Sequence, residues 1–418
     1  MTRVRIIGGG LTGVLAAFEA HRLGFRDIIL HERFDRLGGV ALPKVENGLE
    51  LRTSRIYFGP AKDPVRRLLE WHGVEFEEFE NRFGSVSPGQ DGQPLCIRDF
   101  GGPALPARQV GLADPMGESL ADRLRAYPAD IQQALTRYCQ WRLGAWLDEV
   151  HGSAATPLAI NRVYPIGGDV STLAELKRTD ALYDELYAIP REFWGRTNNL
   201  TAALPRGGFA VMFETCRRRL ESLGVTIHDN SLVSPRQALA ARDEVVVWAA
   251  DPMPLFNAAG LTAPKLIEKS FATYVFKAKF AGPTPFYVQN FTATGAAFQV
   301  YLYESRGETL VTAECVAEAP DGELRREIHR LMAGFGGEGL TLGEQIGVSV
   351  EPRWIYNSME AVKGLGVLRG QLARTHGAAF VPGAWETYAR SETFAQVNAG
   401  LAAALAASQG EAATSVAA

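Results

Sequence analysis

The sequence predicts an α/β fold: a parallel sheet with helices on both faces, interleaved with an α+β unit that contains an antiparallel sheet. Three observations predict it. The chain opens on a short apolar run, a glycine loop and a helical stretch, "RVRIIGGGLTGVLAAFEAHRLG". A later apolar run, "DEVVVWAAD", stands at residues 243–251. After it come "ATYVFKAKF", "AAFQVYLYES" and "TLVTAECVAEA", whose apolar–polar alternation marks antiparallel strands.

Residues 4–7 read as a buried strand and residues 11–23 as a helix with Leu15, Phe18 and Leu23 on its apolar face. Between them Gly8, Gly10 and Gly13 have the spacing G-x-G-x-x-G. In that motif the first glycine permits the tight turn. The second lets a pyrophosphate approach the backbone, and the third lets helix and strand pack closely. The helix N-terminus, with Leu11 and Thr12, presents free N–H groups and the positive end of its dipole to the phosphates. A second strand, "DIILHE", ends in Glu32, 19 residues after Gly13, where a carboxylate can bind both ribose hydroxyls. A lone glycine motif can be a mere turn. Strand, loop, helix, second strand and terminal glutamate together point to an adenine dinucleotide.

The stretch "HERFDRLGGV" runs from Glu32 through Arg36 to Gly38 and Gly39. It resembles the R-x-G-G extension of the flavoprotein superfamily that includes amine oxidases, protoporphyrinogen oxidase, phytoene desaturases and UDP-galactopyranose mutase. The resemblance implies FAD, with Arg36, Gly38 and Gly39 giving a second pyrophosphate contact. "LPRGGFAVMFETCRRRLESLGVTIHDNSLV" looks like the superfamily's P-x-G-G loop, helix and strand, and places Val233 where the family's backbone reads adenine. Its run Arg217, Arg218 and Arg219 reads as a solvated face. "AAFVPGAWETYARSETFAQVNAGLAAALA" resembles the closing strand, loop and helix that cup the isoalloxazine, so Gly383 and Thr393 join the implied FAD contacts. The helix N-terminus would then favour negative charge on the reduced ring. No histidine or cysteine falls at an identifiable attachment position, so the expectation is non-covalent FAD.

The implied architecture is a Rossmann-like FAD-binding domain from residues 1–55, 202–255 and 356–405. Residues 56–201, with helical patterns such as "DIQQALTRYCQWRLGAWLDEV", and residues 256–355 make the substrate domain. Residues 406–418 form a flexible tail. The active site belongs in the cleft between lobes.

Chemistry is less specified than cofactor. "NGLELRTSRIYFGPAKD" resembles the mutase segment beneath the flavin, with Phe58 on the mutase's phenylalanine. The mutase's two histidines are absent, and Arg55 and Tyr57 stand nearby instead. "GAWETYARSET" aligns with the mutase's C-terminal pattern: Tyr388 is retained, while Ala384 replaces its arginine and Arg390 and Glu392 replace its second tyrosine and aspartate. Amine oxidases place an aromatic cage over the flavin, to which Trp385 and Tyr388 could contribute. Arg353, in "EPRWIYNSM", marks the return from the substrate domain. The candidate catalytic set is therefore Tyr388, Trp385, Arg55, Tyr57 and Arg353. Aromatic and arginine lining suits a polar, anionic or sugar-like small molecule. The leading expectation is hydride transfer at flavin N5. The alternatives are a redox-neutral sugar-nucleotide mutase and a non-catalytic FAD-binding protein.

Composition excludes other classes. A net charge of -4 over 418 residues gives no broad pull toward nucleic acid or anionic lipid. Four scattered cysteines, Cys96, Cys139, Cys216 and Cys315, have no metal-like spacing and suit a reduced, cytoplasmic setting. Seven dispersed histidines offer no metal site. No apolar run reaches the ~18 residues of a membrane helix.

Overall fold

The structure, a computed structural model, describes residues 3–52, 56–88, 94–98, 117–160, 170–180, 183, 187, 201–356, 358–383, 385 and 389–416. At 95, 97, 98, 170, 353–356 and 410–416 only the backbone is described.

Five short parallel strands form the first sheet: β1 (Arg3–Ile7), β2 (Ile28–His31), β9 (Thr226–His228), β10 (Glu244–Trp248) and β16 (Phe380–Pro382). Their order is β16-β10-β1-β2-β9. β1 pairs with β2 on one side and with β10 on the other, Val4 facing Ile28 and Val245. The connections from β1 and toward β10 therefore leave in opposite directions, and a crevice opens at the carboxyl ends of the strands. Gly8, Glu32, Ala249 and Gly383 all follow those ends.

Helices cover both faces. Helices Leu11–Leu23, Phe209–Ser222 and Arg390–Val416 bury one face around Val4, Ile6, Phe18, Phe213 and Leu401. The alanine-rich terminal helix turns Val397, Leu401 and Ala404 inward at helical spacing. It continues to Val416, through residues expected to form a flexible tail, and begins at Arg390 rather than near Thr393. On the opposite face, helix Met359–His376 packs Leu365, Leu368 and Leu372 against Trp248 and Phe256.

The second sheet has the order β15-β11-β14-β13-β12-β6-β7. Its strands are β6 (Arg82–Pro88), β7 (Pro94–Arg98), β11 (Ile267–Lys279), β12 (Phe286–Asn290), β13 (Ala297–Ser305), β14 (Glu308–Cys315) and β15 (Thr341–Tyr356). All pairs are antiparallel except β12 with β6. That parallel pair joins a strand from residues 56–201 to one from residues 256–355, so both excursions share one sheet. The helical reading of residues 56–201 missed β6 and β7. Small and β-branched residues in "RFGSVSP" let β6 bury almost fully, but give no clean alternation. Two two-stranded ribbons complete the strands: β3 (Lys44–Glu46) with β4 (Leu49–Leu51), and β5 (Phe76–Glu80) with β8 (Thr201–Pro205).

One face of the large sheet packs on helix Asp321–Met332 through Leu324, Ile328 and Leu331. The other packs on helices Leu120–Leu124 and Ala129–Leu143 through Leu124, Leu135 and Tyr138. None of the four cysteines forms a disulfide among the described residues, and Cys139, Cys216 and Cys315 are buried. No helix among the described residues is long and apolar enough to cross a membrane.

One packing detail sets a pH dependence. The His72 ring stacks on Phe18, centroids 3.8 Å apart. Burial, then the charges of Arg219 and His21, push its pKa down to about 4. The ring is neutral in the fold but protonates near pH 6.5 in the unfolded chain. Stability from this group is thus complete above pH 6.5 and is lost as pH falls toward 4. His72→Phe keeps the stack and removes the proton site, so its melting temperature should fall less than wild type across that window. Parallel melting curves from pH 7 to pH 4 would refute the assignment.

Candidate functional site

β1 ends in a turn that only a residue free to take positive φ makes easily: Gly8 has φ 104°. Gly8 N–H donates to His31 O at 2.9 Å, which ties the turn to β2. The three motif glycines then separate by role. A Cβ on Gly13 would lie 1.8 Å from Gly8 O, so Gly13 is where the first helix packs on the turn. A Cβ on Gly10 would meet nothing within 4 Å, so Gly10 borders open space. Gly10 is also the N-cap of the first helix, with no side-chain cap and no acidic residue in the first turn. The helix N-terminal amides therefore remain open to an anion.

The R-x-G-G stretch lies beside this turn. Gly38 N–H donates to Gly9 O at 2.9 Å, and Gly38 bridges Gly10. Gly38 and Gly39 have φ 129° and 53°, and a Cβ on Gly39 would come within 3.3 Å of Gly10 Cα. Arg36 is exposed and makes no ion pair among the described residues. Glu32 is 4% exposed, and its carboxylate accepts from Gly9 N–H at 2.7 Å and Phe34 N–H at 2.9 Å. Two neutral donors leave further lone pairs on those oxygens. Glu32 thus braces the loops flanking the site, a task not visible in its spacing alone.

A cavity of about 450 Å³ begins at Leu11 and Thr12 and runs to the second sheet. Val40, Ala41, Ile56, Phe209 and Met212 give it apolar sides. Arg390 and Thr393, from the first turn of the terminal helix, also line it. Its far wall carries Arg142, Gln299 and Glu314. Gln299 and Glu314 are cross-strand neighbours on β13 and β14. Arg142 is 1% exposed, with its guanidinium carbon 4.1 Å from the Phe298 ring centroid. Arg142 Nη1 donates to Tyr138 Oη at 2.7 Å and Leu158 O at 3.0 Å. Gln289 Nε2 donates to the same phenol at 2.6 Å, and Tyr138 donates to Leu158 O at 2.9 Å. Burial pushes the Tyr138 phenol up to about 12, so it stays neutral. This network holds the polar wall rigid. A second cavity, of about 570 Å³, is bordered by Glu50, Arg52, Glu78 and Arg306.

The structure brings together Gly8, Gly10, Leu11, Thr12, Gly13, Glu32, Gly38, Gly39 and Thr393. Gly383 N–H donates to Trp248 O at 2.8 Å, fixing β16 at the crevice. Val233 follows β9 and packs against the cluster around Trp248. Trp385 packs on the same cluster and its indole donates to Trp248 O at 3.3 Å, which gives it a structural task. The Tyr57 ring meets Phe79 edge-on at 4.8 Å, while its carbonyl accepts from Arg390. Phe58 is buried and stacks near Phe209. Arg55, Tyr388 and the side chain of Arg353 lie outside the described residues; Arg353 itself belongs to β15. Within the arginine run Arg217 pairs with Asp229 and Glu221, and the exposed Arg218 with Glu214.

Sequence reasoning missed Arg142, Gln299 and Glu314. Signals existed. Arg142 shares the buried face of its helix with Leu135, Tyr138 and Cys139, where an arginine is out of place. Gln299 and Glu314 are polar residues inside strands otherwise buried and apolar.

Residues 6–70 match the family described as an NAD(P)-binding Rossmann-like domain. No curated protein matches the chain. Among solved structures, reduced UDP-galactopyranose mutase superposes with a TM-score of 0.64 at 12% identity, covering 96% of this chain and 95% of that one. A candidate protoporphyrinogen oxidase from Exiguobacterium sp. 255-15 gives 0.55 at 14% identity, covering 96% and 98%. A triple mutant of putrescine oxidase gives 0.52 at 16% identity, covering 97% and 99%. At these identities the likeness is one of fold alone: a Rossmann-like domain with a second sheet domain.

Proposed function

We propose that the protein is a flavoenzyme that holds FAD non-covalently and acts on a polar, charged small molecule by hydride transfer. The cavity is the observation that carries this reading. It joins a dinucleotide turn to a wall of buried charge, and its volume lies within the usual range for ligand pockets. The residues present fit the cofactor. Gly10 and Gly39 leave room for a pyrophosphate, the first helix presents its amides, and Glu32 has lone pairs for ribose hydroxyls. FAD, when bound, supplies the hydride-accepting chemistry at N5.

The chain's own residues do the rest. Arg142 orients an anionic group of the substrate, as a guanidinium fork suits a carboxylate or phosphate. Glu314 accepts from a substrate ammonium or hydroxyl, and Gln299 takes either partner. Phe209, Met212 and Ile56 keep water from the reacting face. A cytoplasmic location suits cysteines that form no disulfide.

A redox-neutral sugar-nucleotide mutase is the second reading, favoured by the likeness to UDP-galactopyranose mutase. Among the described residues the cavity presents two arginines, Arg142 and Arg390, on different walls, an arrangement less suited to clamping one diphosphate. A non-catalytic role would suit a cleft closed by side chains, and this cleft is open.

Purified protein should be yellow and release intact FAD on denaturation. A colourless protein that takes up NAD but no FAD would sink the reading. Anaerobic reduction, then exposure to oxygen and to a panel of amino acids, amines and sugar nucleotides, separates the two chemistries. Net flavin reduction by a panel member supports hydride transfer. Turnover only by the reduced enzyme, without net flavin oxidation, supports the mutase.

A further inference from the structure

Ala159 follows the short helix Ala155–Leu158 with φ 58° and ψ 30°, in the left-handed region. Glycine takes that conformation freely, whereas an L side chain crowds its Cβ against the following carbonyl. The fold nevertheless imposes it. Leu158 and Ile160, on either side, are both 0% exposed in the core between the helices and the large sheet. Leu158 O accepts from Tyr138 Oη at 2.9 Å and from Arg142 Nη1 at 3.0 Å, and Ala159 N–H donates to Thr156 O at 3.0 Å. Burial on both sides and these bonds hold the turn, so a methyl-bearing residue persists where glycine would relieve it.

Ala159 also lines the cavity of about 450 Å³, with Thr156 and Pro157 beside it. Arg142 lines the same cavity, and its bond to Leu158 O joins it to the residue that precedes Ala159. The alanine and the guanidinium therefore keep a fixed relation. Glu314 stands on the cavity wall as well. A carboxylate there repels a second negative charge, so a monoanionic carboxylate suits Arg142 better than a phosphate dianion does.

We infer that Ala159 is a specificity-determining residue: its methyl group bounds the space beside Arg142 and limits the apolar part of a substrate whose carboxylate Arg142 holds. The substrate class is then a short monocarboxylate. The inference rests on the role given to Arg142 in the reading above. Ala159 acts by shape alone and moves neither hydride nor proton. In a closely fitting apolar pocket one methylene is worth about 10–200-fold in discrimination.

The test is titration of the purified protein with acetate, propionate and butyrate. Perturbation of flavin absorbance reads binding, and the rise in melting temperature reads it independently of flavin. Ala159→Gly keeps the turn and widens the cavity, so the ratio of butyrate to acetate affinity should rise by about tenfold. Ala159→Asn also keeps the turn, because asparagine tolerates positive φ, but it fills the space; the same ratio should fall by about tenfold or more. Ala293 has φ 54° and does not line that cavity, so Ala293→Gly should keep the wild-type ratio. A ratio that stays at the wild-type value in both Ala159 variants would make Ala159 a turn residue only, and the inference would fall while Arg142 kept its role. A ratio that moves equally in Ala293→Gly would assign the effect to the backbone and overturn the inference as well. A wild type that binds none of the three acids by either readout would overturn it together with the role of Arg142. Protein that takes up no FAD, yet shows the shifted ratios by melting temperature, would keep the inference and remove the cofactor reading.

Discussion

Gly13→Ala should cost the protein its fold, whereas Gly10→Val should cost it only its cofactor. The added Cβ at position 13 would sit 1.8 Å from Gly8 O and 3.0 Å from Gly8 C. Both are backbone atoms, so no rotamer change relieves the clash. The first helix would have to lift from β1, exposing Val14 and Phe18, now fully buried, and parting from the terminal helix. Ordinary overpacking costs about 1–3 kcal/mol; a backbone clash at the centre of the sheet should exceed that range. Gly10 is different. Its φ is -68°, which any residue adopts, and its Cβ would meet open space. Gly10→Val apoprotein should therefore melt like wild-type apoprotein while failing to turn yellow. Circular dichroism melting and flavin absorbance on the same two preparations check the contrast. Normal melting of Gly13→Ala, or full flavin content in Gly10→Val, would break it.

That contrast also marks what was legible in the sequence. The G-x-G-x-x-G spacing separates a turn glycine, an approach glycine and a packing glycine, and in the structure Gly8 has positive φ, Gly10 borders open space and Gly13 packs on Gly8. The reason is local: strand, turn and helix are contiguous, so spacing dictates geometry. The parallel order of the first sheet follows in the same way from short apolar runs divided by helices. The polar wall is a different case. Arg142 reaches it from a helix, while Gln299 and Glu314 reach it from paired strands remote in sequence. No local spacing encodes that meeting; it depends on the register of β13 with β14 and on the helix laid across them. Trp385 makes a contact of the same kind. An aromatic just after the last strand looks placed for a cofactor, yet its contact with Trp248 lies across β10 and β16, a pairing no motif records.

Glu32→Ala should weaken the protein twice, once without cofactor and once with it. In the fold its carboxylate is the acceptor for Gly9 N–H and Phe34 N–H, in a site only 4% exposed. Removing a buried acceptor leaves each donor unsatisfied, at about 1–3 kcal/mol apiece. Both donors lie in the loops that flank the dinucleotide turn, and Ser231 N–H donates to Glu32 O from the loop after β9. Loss of the side chain should therefore loosen the crevice before any ligand arrives, lowering apoprotein stability by roughly 2–6 kcal/mol. FAD affinity should fall as well, because ribose hydroxyls lose an ionised acceptor, at about 1.5–3 kcal/mol for each such bond. Glu32→Gln separates the two effects. Its amide oxygen can serve one backbone donor, but its NH₂ faces the other N–H, so the apoprotein should still be destabilised and the ribose left with a weaker acceptor. Chemical denaturation of apoprotein reads the first effect and FAD titration the second. An apoprotein as stable as wild type would mean that the carboxylate does not brace the loops. Reduced stability with undiminished FAD affinity would keep the brace and move the ribose contact to another residue.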